Sequence, residues 1–385
     1  MGLRILHVLA GMNRAGVETW LMHVLRHIDR NRFQMDFLVH DPHRGDYEDE
    51  IVALGSRVLR CLQPRRPWTF AANFRRVLHE AGPYDVVHSH VHHFSGFVLR
   101  LARAGGVRAR IAHSHSDTSS LDARGSLPRQ AYLRICRHWI RRHATAKLAC
   151  SQEAAGALFG RGWANDPRVQ ILHCGLDMTP FSAPAARAAV RAELGIPDGA
   201  FVLGHVGRFC AAKNHSFLLE VAARVAQRHP AAFVLLVGEG TLETSLREKA
   251  NRLGLSGRVI FAGSRGDVPR LMLGGMDIFL FPSLFEGLGL AAVEAQAAGL
   301  RCVFSSVVPQ EADVVLPLVQ RLPLTASVDT WAAAILAHCG RSAAMDQRTA
   351  LAAVQQSPFS IQCSLRRLES TYAGQVATSS ARRAA

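Results

Sequence analysis

Short, continuously apolar runs alternate along this chain with stretches of helical periodicity, and the alternation begins a second time near residue 200. In the first half the runs fall at 4–9, 34–39, 58–60, 85–88, 110–112 and 146–149. In the second they fall at 201–206, 232–237, 258–261, 278–281 and 302–304. Helical patterns lie between them, for instance at 17–28, 217–228 and 242–253. Strands apolar on consecutive positions are covered on both faces, and helical crossovers make their neighbours parallel. The pattern therefore predicts an α/β chain of two Rossmann-like parallel-sheet domains, 1–180 and 190–357. The polar, proline-bearing stretch 181–198 reads as the linker between them, and the Ala-, Ser- and Arg-rich 376–385 as a disordered tail.

The 385 residues, 49% of them hydrophobic, suffice for two cores. Eight scattered cysteines form no C-x-x-C pair, so they read as reduced, mostly buried thiols of a cytoplasmic protein. The first apolar run is too short for a signal-peptide core, and no stretch reaches the ~20 apolar residues of a membrane span. The formal charge is +15. Residues 1–190 hold 26 Lys and Arg against 15 Asp and Glu, and residues 191–385 hold 19 against 15. That asymmetry points to an anionic partner for the first half.

Three strand–glycine–helix junctions carry the chemistry. After run 278–281 comes Phe285-Glu286-Gly287-Leu288-Gly289-Leu290, opening an alanine-rich helix that carries Glu294. A helix N-terminus reached through a glycine turn offers free N–H groups and a positive dipole end to a phosphate. A carboxylate further along such a helix can accept ribose hydroxyls. After 201–206 comes Gly207-Arg208-Phe209-Cys210-Ala211-Ala212-Lys213. There Arg208 and Lys213 can neutralise a departing diphosphate. After 4–9 comes Ala10-Gly11-Met12-Asn13-Arg14-Ala15-Gly16, where Gly16 permits close backbone approach.

Together these segments resemble family 4 of the retaining GT-B glycosyltransferases. Glu286 and Glu294 match its E-x7-E motif, Gly207-Arg208 with Lys213 its phosphate-binding pair, and Gly16 its N-terminal glycine loop. Further agreement lies at Asp85–His90, Ala149–Glu153, Val237–Gly240 and Phe261–Pro269. The resemblance spans residues 3–372 and is closest to enzymes of exopolysaccharide and capsule synthesis. It implies an acceptor domain and a nucleotide-sugar domain facing across a cleft, with a C-terminal helix, 359–375, packing back on the first. It implies that Arg208, Lys213 and the amides of Gly287, Leu288, Gly289 and Leu290 hold the diphosphate. Glu294 would hold the ribose, Glu286 the transferred sugar, and Arg265 and Val268 the base. A histidine at a strand end faces the sugar in the family, here His115, with His113 as the register alternative.

Several other features stay open. His88, His90, His92 and His93 share strand-end positions, but no cysteine or carboxylate nearby in sequence completes a metal set, so no metal is expected. The acids of 46–50 read as a charged helix start rather than a cation site. The helix at 128–143 is basic, aromatic-bearing and amphipathic, suited to an anionic membrane surface, to the domain core, or to both.

The resulting expectation is a cytoplasmic enzyme, peripheral on the inner face of the membrane. It would move a hexose or N-acetylhexosamine from an NDP-sugar, of which UDP is favoured, to a lipid-linked or polysaccharide acceptor. No cofactor is expected. The rivals are a two-Rossmann NDP-sugar epimerase, a silent transferase-like scaffold, and a basic nucleic-acid-binding protein. Against the last, no nucleic-acid motif accompanies the cations, so no nucleic acid is expected as partner.

Overall fold

A computed structural model describes residues 2–341 and 344–384, without the side chains of 120, 121 and 379–384. The chain divides into two units, one made of Met1–Gly175 with Ile361–Ala385, the other of Leu176–Ser360.

The first unit is built on seven strands: β1 (Leu3–Leu9), β2 (Phe33–Val39), β3 (Val58–Arg60), β4 (Val86–Ser89), β5 (Ala109–Ser114), β6 (Ala146–Ala149) and β7 (Val169–Ile171). They form one parallel sheet in the order β3-β2-β1-β4-β5-β6-β7. Leu6, Val8, Leu38, Val87 and Ala112 supply one apolar face, covered by Phe70, Phe74, Val98, Leu99 and Ile140 from crossover helices. The other face meets the helix Gly16–His27, through Trp20, and the closing helix Ile361–Ala384, through Tyr372. Strand order reverses between β1 and β4, so the loops leaving those strands part company there. In open α/β sheets that crevice is where ligands bind.

The second unit repeats the plan with six strands: β8 (Phe201–Val206), β9 (Ala232–Val237), β10 (Val259–Phe261), β11 (Ile278–Phe281), β12 (Arg301–Ser305) and β13 (Val319–Leu322). All run parallel, in the order β10-β9-β8-β11-β12-β13. Phe201, Leu203, Leu236, Ile278, Leu280 and Val303 pack against Leu218, Leu219 and Val225 of the helix His215–Arg228. Here the reversal falls between β8 and β11, the two strands that feed the glycine turns holding Lys213 and Glu286.

Three expectations need correction. The stretch 181–198 is no free linker: Arg187–Glu193 is helical, Val190 is buried, and Arg191 donates to Asp277 and to the Ala200 carbonyl. The first unit ends at Gly175 and the second at Ser360, against the expected 180 and 357. Residues 376–384 continue the closing helix instead of leaving it as an irregular tail, because Ala and Arg are strong helix formers; Ala385 lies outside the described residues. The edge strands β7 and β13 were not anticipated. Their residues are partly exposed and include Gln170, Gln320 and Arg321, which break the apolar run.

Candidate functional site

In the second unit the site is assembled by two turns at the reversal point. The turn after β8 carries Gly207 and Arg208, then a single 3-10 turn, Ala211–Lys213. Gly238, leaving β9 at φ +139, lies against it; a Cβ there would come within 2.2 Å of the Gly207 carbonyl oxygen. Asn214 adopts the left-handed conformation at φ 54 and donates its side-chain amide to the Pro282 carbonyl. The Leu284 amide donates to the Ala212 carbonyl at 2.7 Å. These two bonds lace the β8 and β11 turns together. Lys213 Nζ then meets Glu286 Oε1 at 2.6 Å and stands 4.9 Å from the Phe281 ring centroid. Arg208 is exposed and forms no ion pair among the described residues.

Gly289, at φ +89, turns the chain into the helix Leu290–Ala297. The first-turn N–H groups of a helix lack intrahelical acceptors, so Leu288, Gly289 and Leu290 stand where an anion is favoured. Glu294 lies on that helix, partly buried and without a hydrogen-bond or ion-pair partner among the described residues. Burial raises its carboxyl to about 7. A part-buried acid with no partner is costly in the free protein and is a ready acceptor for hydroxyl donors.

Arg265 is less free than the sequence suggested. Its guanidinium binds Asp267 at 2.7 Å and Glu193 at 2.8 Å, and Arg270 shares both acids. What it can offer a nucleobase is its flat face and the backbone leading to Val268, the first residue of the helix Val268–Gly275. Sequence reasoning missed His205 and His215. His205 is buried near the end of β8, donates from Nδ1 to the Leu280 carbonyl, and packs edge-on against His215. Burial first, then the neighbouring His215, holds His205 neutral, so the imidazole adds no charge behind Lys213.

In the first unit Gly16 opens the helix Gly16–His27. Of the two register alternatives, His113 is wholly buried inside β5, while His115 follows the strand and is partly exposed. The pair belongs to a larger constellation on one sheet face. His7 Nδ1 lies 3.0 Å from His90 Nε2, and His90 Nδ1 lies 2.8 Å from His115 Nε2. His88 Nε2 lies 3.2 Å from His113 Nδ1, and His88 Nδ1 lies 2.8 Å from the Tyr372 hydroxyl. Burial pulls His7 and His115 down to about 3; burial and then neighbouring rings take His88, His90 and His113 well below the ordinary value. Two triads, His7/His88/His90 and His90/His113/His115, hold ring nitrogens within 4.8 Å of one another.

His92 and His93 belong elsewhere. His93 pairs with Asp122 at 2.7 Å and His92 faces Thr118, so a carboxylate remote in sequence does join these histidines. The acids of 46–50 are likewise engaged: Glu48 with Arg60, Asp49 with Arg44, Glu50 with Arg26, and Asp46 with the Arg14 amide. On the basic helix Leu127–His143, Leu133, Cys136 and Ile140 turn inward, whereas Leu127, Tyr132 and Ile135 are exposed, so that helix has a core face and a second apolar face.

Two parallel Rossmann-type units, one with a lysine–glutamate pair and an unpaired carboxyl around a helix N-terminus, define the GT-B class of glycosyltransferases. Comparison with known proteins agrees. Residues 186–337 match the family described as glycosyl transferases group 1, and residues 15–175 match the glycosyl transferase 4-like domain. The chain is 37% identical over 336 residues to the putative glycosyltransferase EpsF of Bacillus subtilis (strain 168), covering 86% of each protein. It is 28% identical over 233 residues, 58% of each, to the Escherichia coli UDP-Gal:alpha-D-GlcNAc-diphosphoundecaprenol alpha-1,3-galactosyltransferase. Its structure matches that of Anabaena HepE in complex with UDP-glucose, with a TM-score of 0.81 at 21% identity, over 97% of this chain and 100% of that one. The chain belongs to this glycosyltransferase family.

Proposed function

We propose that this chain is a retaining hexosyltransferase taking a hexose or N-acetylhexosamine from a UDP-sugar. The acceptor is a lipid-linked or growing glycan of a surface polysaccharide. The observation that carries the reading is the Lys213–Glu286 pair at 2.6 Å, set at the strand-order reversal beside the N-terminus of the helix Leu290–Ala297. Arg208, Lys213 and the amides of Gly287 to Leu290 receive the diphosphate, and Glu294 accepts from the ribose hydroxyls. Glu286, oriented by Lys213, addresses the transferred sugar, and His115 is the first unit's candidate sugar contact by family resemblance. Two similar proteins support the choice of donor and pathway: a galactosyltransferase using UDP-Gal on a diphosphoundecaprenol acceptor, and HepE with UDP-glucose.

Charge develops on the leaving diphosphate as the glycosidic bond breaks. Two cations and a helix N-terminus stabilise it without a metal ion. Each well-placed donor of this kind contributes a factor of about 10²–10³ in rate. The only carboxylates on these turns are already assigned, to Lys213 and to the ribose. Retention then proceeds by attack from the leaving-group face, with the departing phosphate taking the acceptor's proton. In the first unit a hollow of about 500 Å³, lined by Val17, Glu18, Arg65, His90, Phe94 and Tyr132 among others, suits an acceptor with both apolar and anionic parts. Beside it, exposed Trp68, Leu127 and Ile135 stand among arginines, the composition that seats a protein on anionic lipid. No described helix is long and apolar enough to cross a membrane. We assign the protein to the inner face of the cytoplasmic membrane.

The test is thermal unfolding with UDP, GDP and ADP, each with and without magnesium, followed by acceptor-dependent release of the nucleotide. UDP should raise the midpoint without magnesium, and Arg208→Ala or Lys213→Ala should abolish the rise. Stabilisation by none of the three would defeat the transferase reading; a rise that requires magnesium would defeat the metal-free mechanism.

A further inference from the structure

Five histidines on one sheet face of the first unit, His7, His88 and His113 buried and His90 and His115 partly exposed, form a single series of contacts with two further groups. From the sheet edge inward it runs Cys174 Sγ to His115 Nδ1 at 3.7 Å, and His115 Nε2 to His90 Nδ1 at 2.8 Å. His90 Nε2 then meets His7 Nδ1 at 3.0 Å, and His7 Nε2 meets the Tyr372 hydroxyl at 3.5 Å. Tyr372 passes to His88 Nδ1 at 2.8 Å, and His88 Nε2 to His113 Nδ1 at 3.2 Å. His115, His90, His7 and His88 thus each meet one neighbour through Nδ1 and the next through Nε2, and His113 ends the series through Nδ1. A neutral imidazole has one donor and one acceptor nitrogen, so each link needs one proton and each ring supplies one. Such a series can run in only two directions if every link is to be made and the Tyr372 proton is to be used in one of them.

The contacts of Tyr372 select the direction. A phenol donates one proton, and an O–H donor makes the shorter contact; Tyr372 is 2.8 Å from His88 and 3.5 Å from His7. With the Tyr372 proton on His88 Nδ1, His88 carries its own on Nε2, directed at His113 Nδ1; His113 Nε2 itself has no hydrogen-bond partner among the described residues. His113 therefore carries its proton on Nε2, and the same assignment propagates outward through every ring.

We infer that His113, His88, Tyr372, His7 and His90 are positioning residues that fix one tautomer, Nε2–H, along the whole series and so hold His115 with an unprotonated Nδ1. The partner of that nitrogen within the protein is a thiol at 3.7 Å, a weak donor that a ligand hydroxyl outcompetes. A sugar that reaches His115 then meets a hydrogen-bond acceptor. A sugar presenting a hydroxyl there is matched, and a hexuronate presenting a carboxylate meets a lone pair. This consequence rests on the transferase reading; the wiring does not. The two triads that bring nitrogens within 4.8 Å also raise the question of a metal, but here the nitrogens are already paired with one another.

The experiment is nitrogen-15 NMR of the full chain labelled at histidine, read at neutral pH, with metal content measured on the same sample. The expected spectrum shows the Nε2–H tautomer at His7, His88, His90, His113 and His115, with less than stoichiometric metal. Tyr372→Phe keeps the buried ring and removes the one link between the two halves. The rings on both sides of the lost link, His88 and His113 as well as His7, His90 and His115, should become tautomer mixtures. Transfer should then fall about ten-fold or more in kcat, the size of effect a displaced contact produces, with the donor KM little changed. An Nδ1–H form or an imidazolium at any of the five overturns the wiring, as does one bound metal per chain. Unchanged tautomers in Tyr372→Phe overturn the role given to that hydroxyl. An inactive chain with the expected spectrum refutes the transferase reading and leaves the wiring standing.

Discussion

Replacing Glu294 with glutamine should make the protein more stable and a worse nucleotide binder, and both effects follow from one unpaired carboxyl. Burial raises that carboxyl to about 7 from an ordinary 4.5. Such a rise corresponds to about 3 kcal/mol at most. Since the side chain is partly exposed, water screens part of this, and about 1–2 kcal/mol is the expected cost of ionising it in the fold. The sign follows from proton linkage: a raised acid binds more protons folded than unfolded between its two pKa values, so stability falls as pH rises from about 4.5 to about 7. Glu294→Gln keeps the shape and removes the charge. At pH 8 it should unfold about 3–6 °C above the parent, at roughly 2–4 °C per kcal/mol for a unit of this size. At pH 4.5 the two curves should coincide. Ribose hydroxyls donating to the carboxylate favour its charged form, so binding should release a proton near pH 7, detectable by calorimetry in buffers of different ionisation enthalpy. In Glu294→Gln the proton release should vanish and affinity fall about 10–100-fold, the loss of charge-assisted bonds. A variant less stable than the parent at pH 8, or a stability gap that persists at pH 4.5, would refute the account of Glu294.

Other expectations are as direct. Lys213→Ala and Glu286→Ala should each abolish transfer. In a denaturant cycle the double variant should recover part of the summed loss, because removing one partner leaves the other half-buried and unpaired; strict additivity would show the pair to be uncoupled. In the first unit Asp36 is held below its ordinary value: against its burial work hydrogen bonds from Arg57 and Tyr84. A depressed acid gives stability that is present at neutral pH and lost as pH falls through and below about 4. Asp36→Asn should therefore cost about 1–2 kcal/mol at pH 7, and its deficit should shrink on acidification; a deficit independent of pH would exclude that origin. Leu127→Glu with Ile135→Glu should reduce co-sedimentation with phosphatidylglycerol vesicles while leaving the thermal midpoint within about 2 °C, as suits exposed positions. Equal sedimentation of both proteins would remove that face from membrane contact.

What the sequence made legible follows burial. Eleven strands were readable because their residues are apolar on successive positions, the signature of a sheet covered on both faces. The two that escaped, β7 and β13, lie at sheet edges, where one side of the strand is open and polar residues interrupt the run. The helix Arg187–Glu193 escaped for a related reason: it is short, preceded by prolines, and held by the buried guanidinium of Arg191 on Asp277, a contact 86 residues away in sequence. In the second unit Gly207, Arg208, Lys213, Glu286 and Glu294 were found because each sits on a strand–turn–helix junction that leaves a local pattern. Asn214, which laces the two turns, left no such pattern. Its left-handed φ and its bond to Pro282 appear only once both strands are in place.

The histidine series marks the limit of local reading most clearly. Its members come from β1, the ends of β4 and β5, and a helix almost the whole chain away; the contact between His7 and Tyr372 closes a separation of 365 residues. Read along the chain, His88 and His90 suggest a metal, because alternate strand residues share a face and imidazole is a common ligand. Read across the sheet, parallel register sets His7 beside His88, and His90 one step beyond the point where β4 and β5 pair. Enclosing five imidazoles is tolerable only if each stays neutral and nearly every nitrogen finds a partner, as all but His113 Nε2 do here. Uncharged rings satisfy one another without an ion, provided the protons all point one way. The demand for polar satisfaction in the interior thereby sets the state of His115, the one member of the five that follows β5 to the sheet's carboxyl edge.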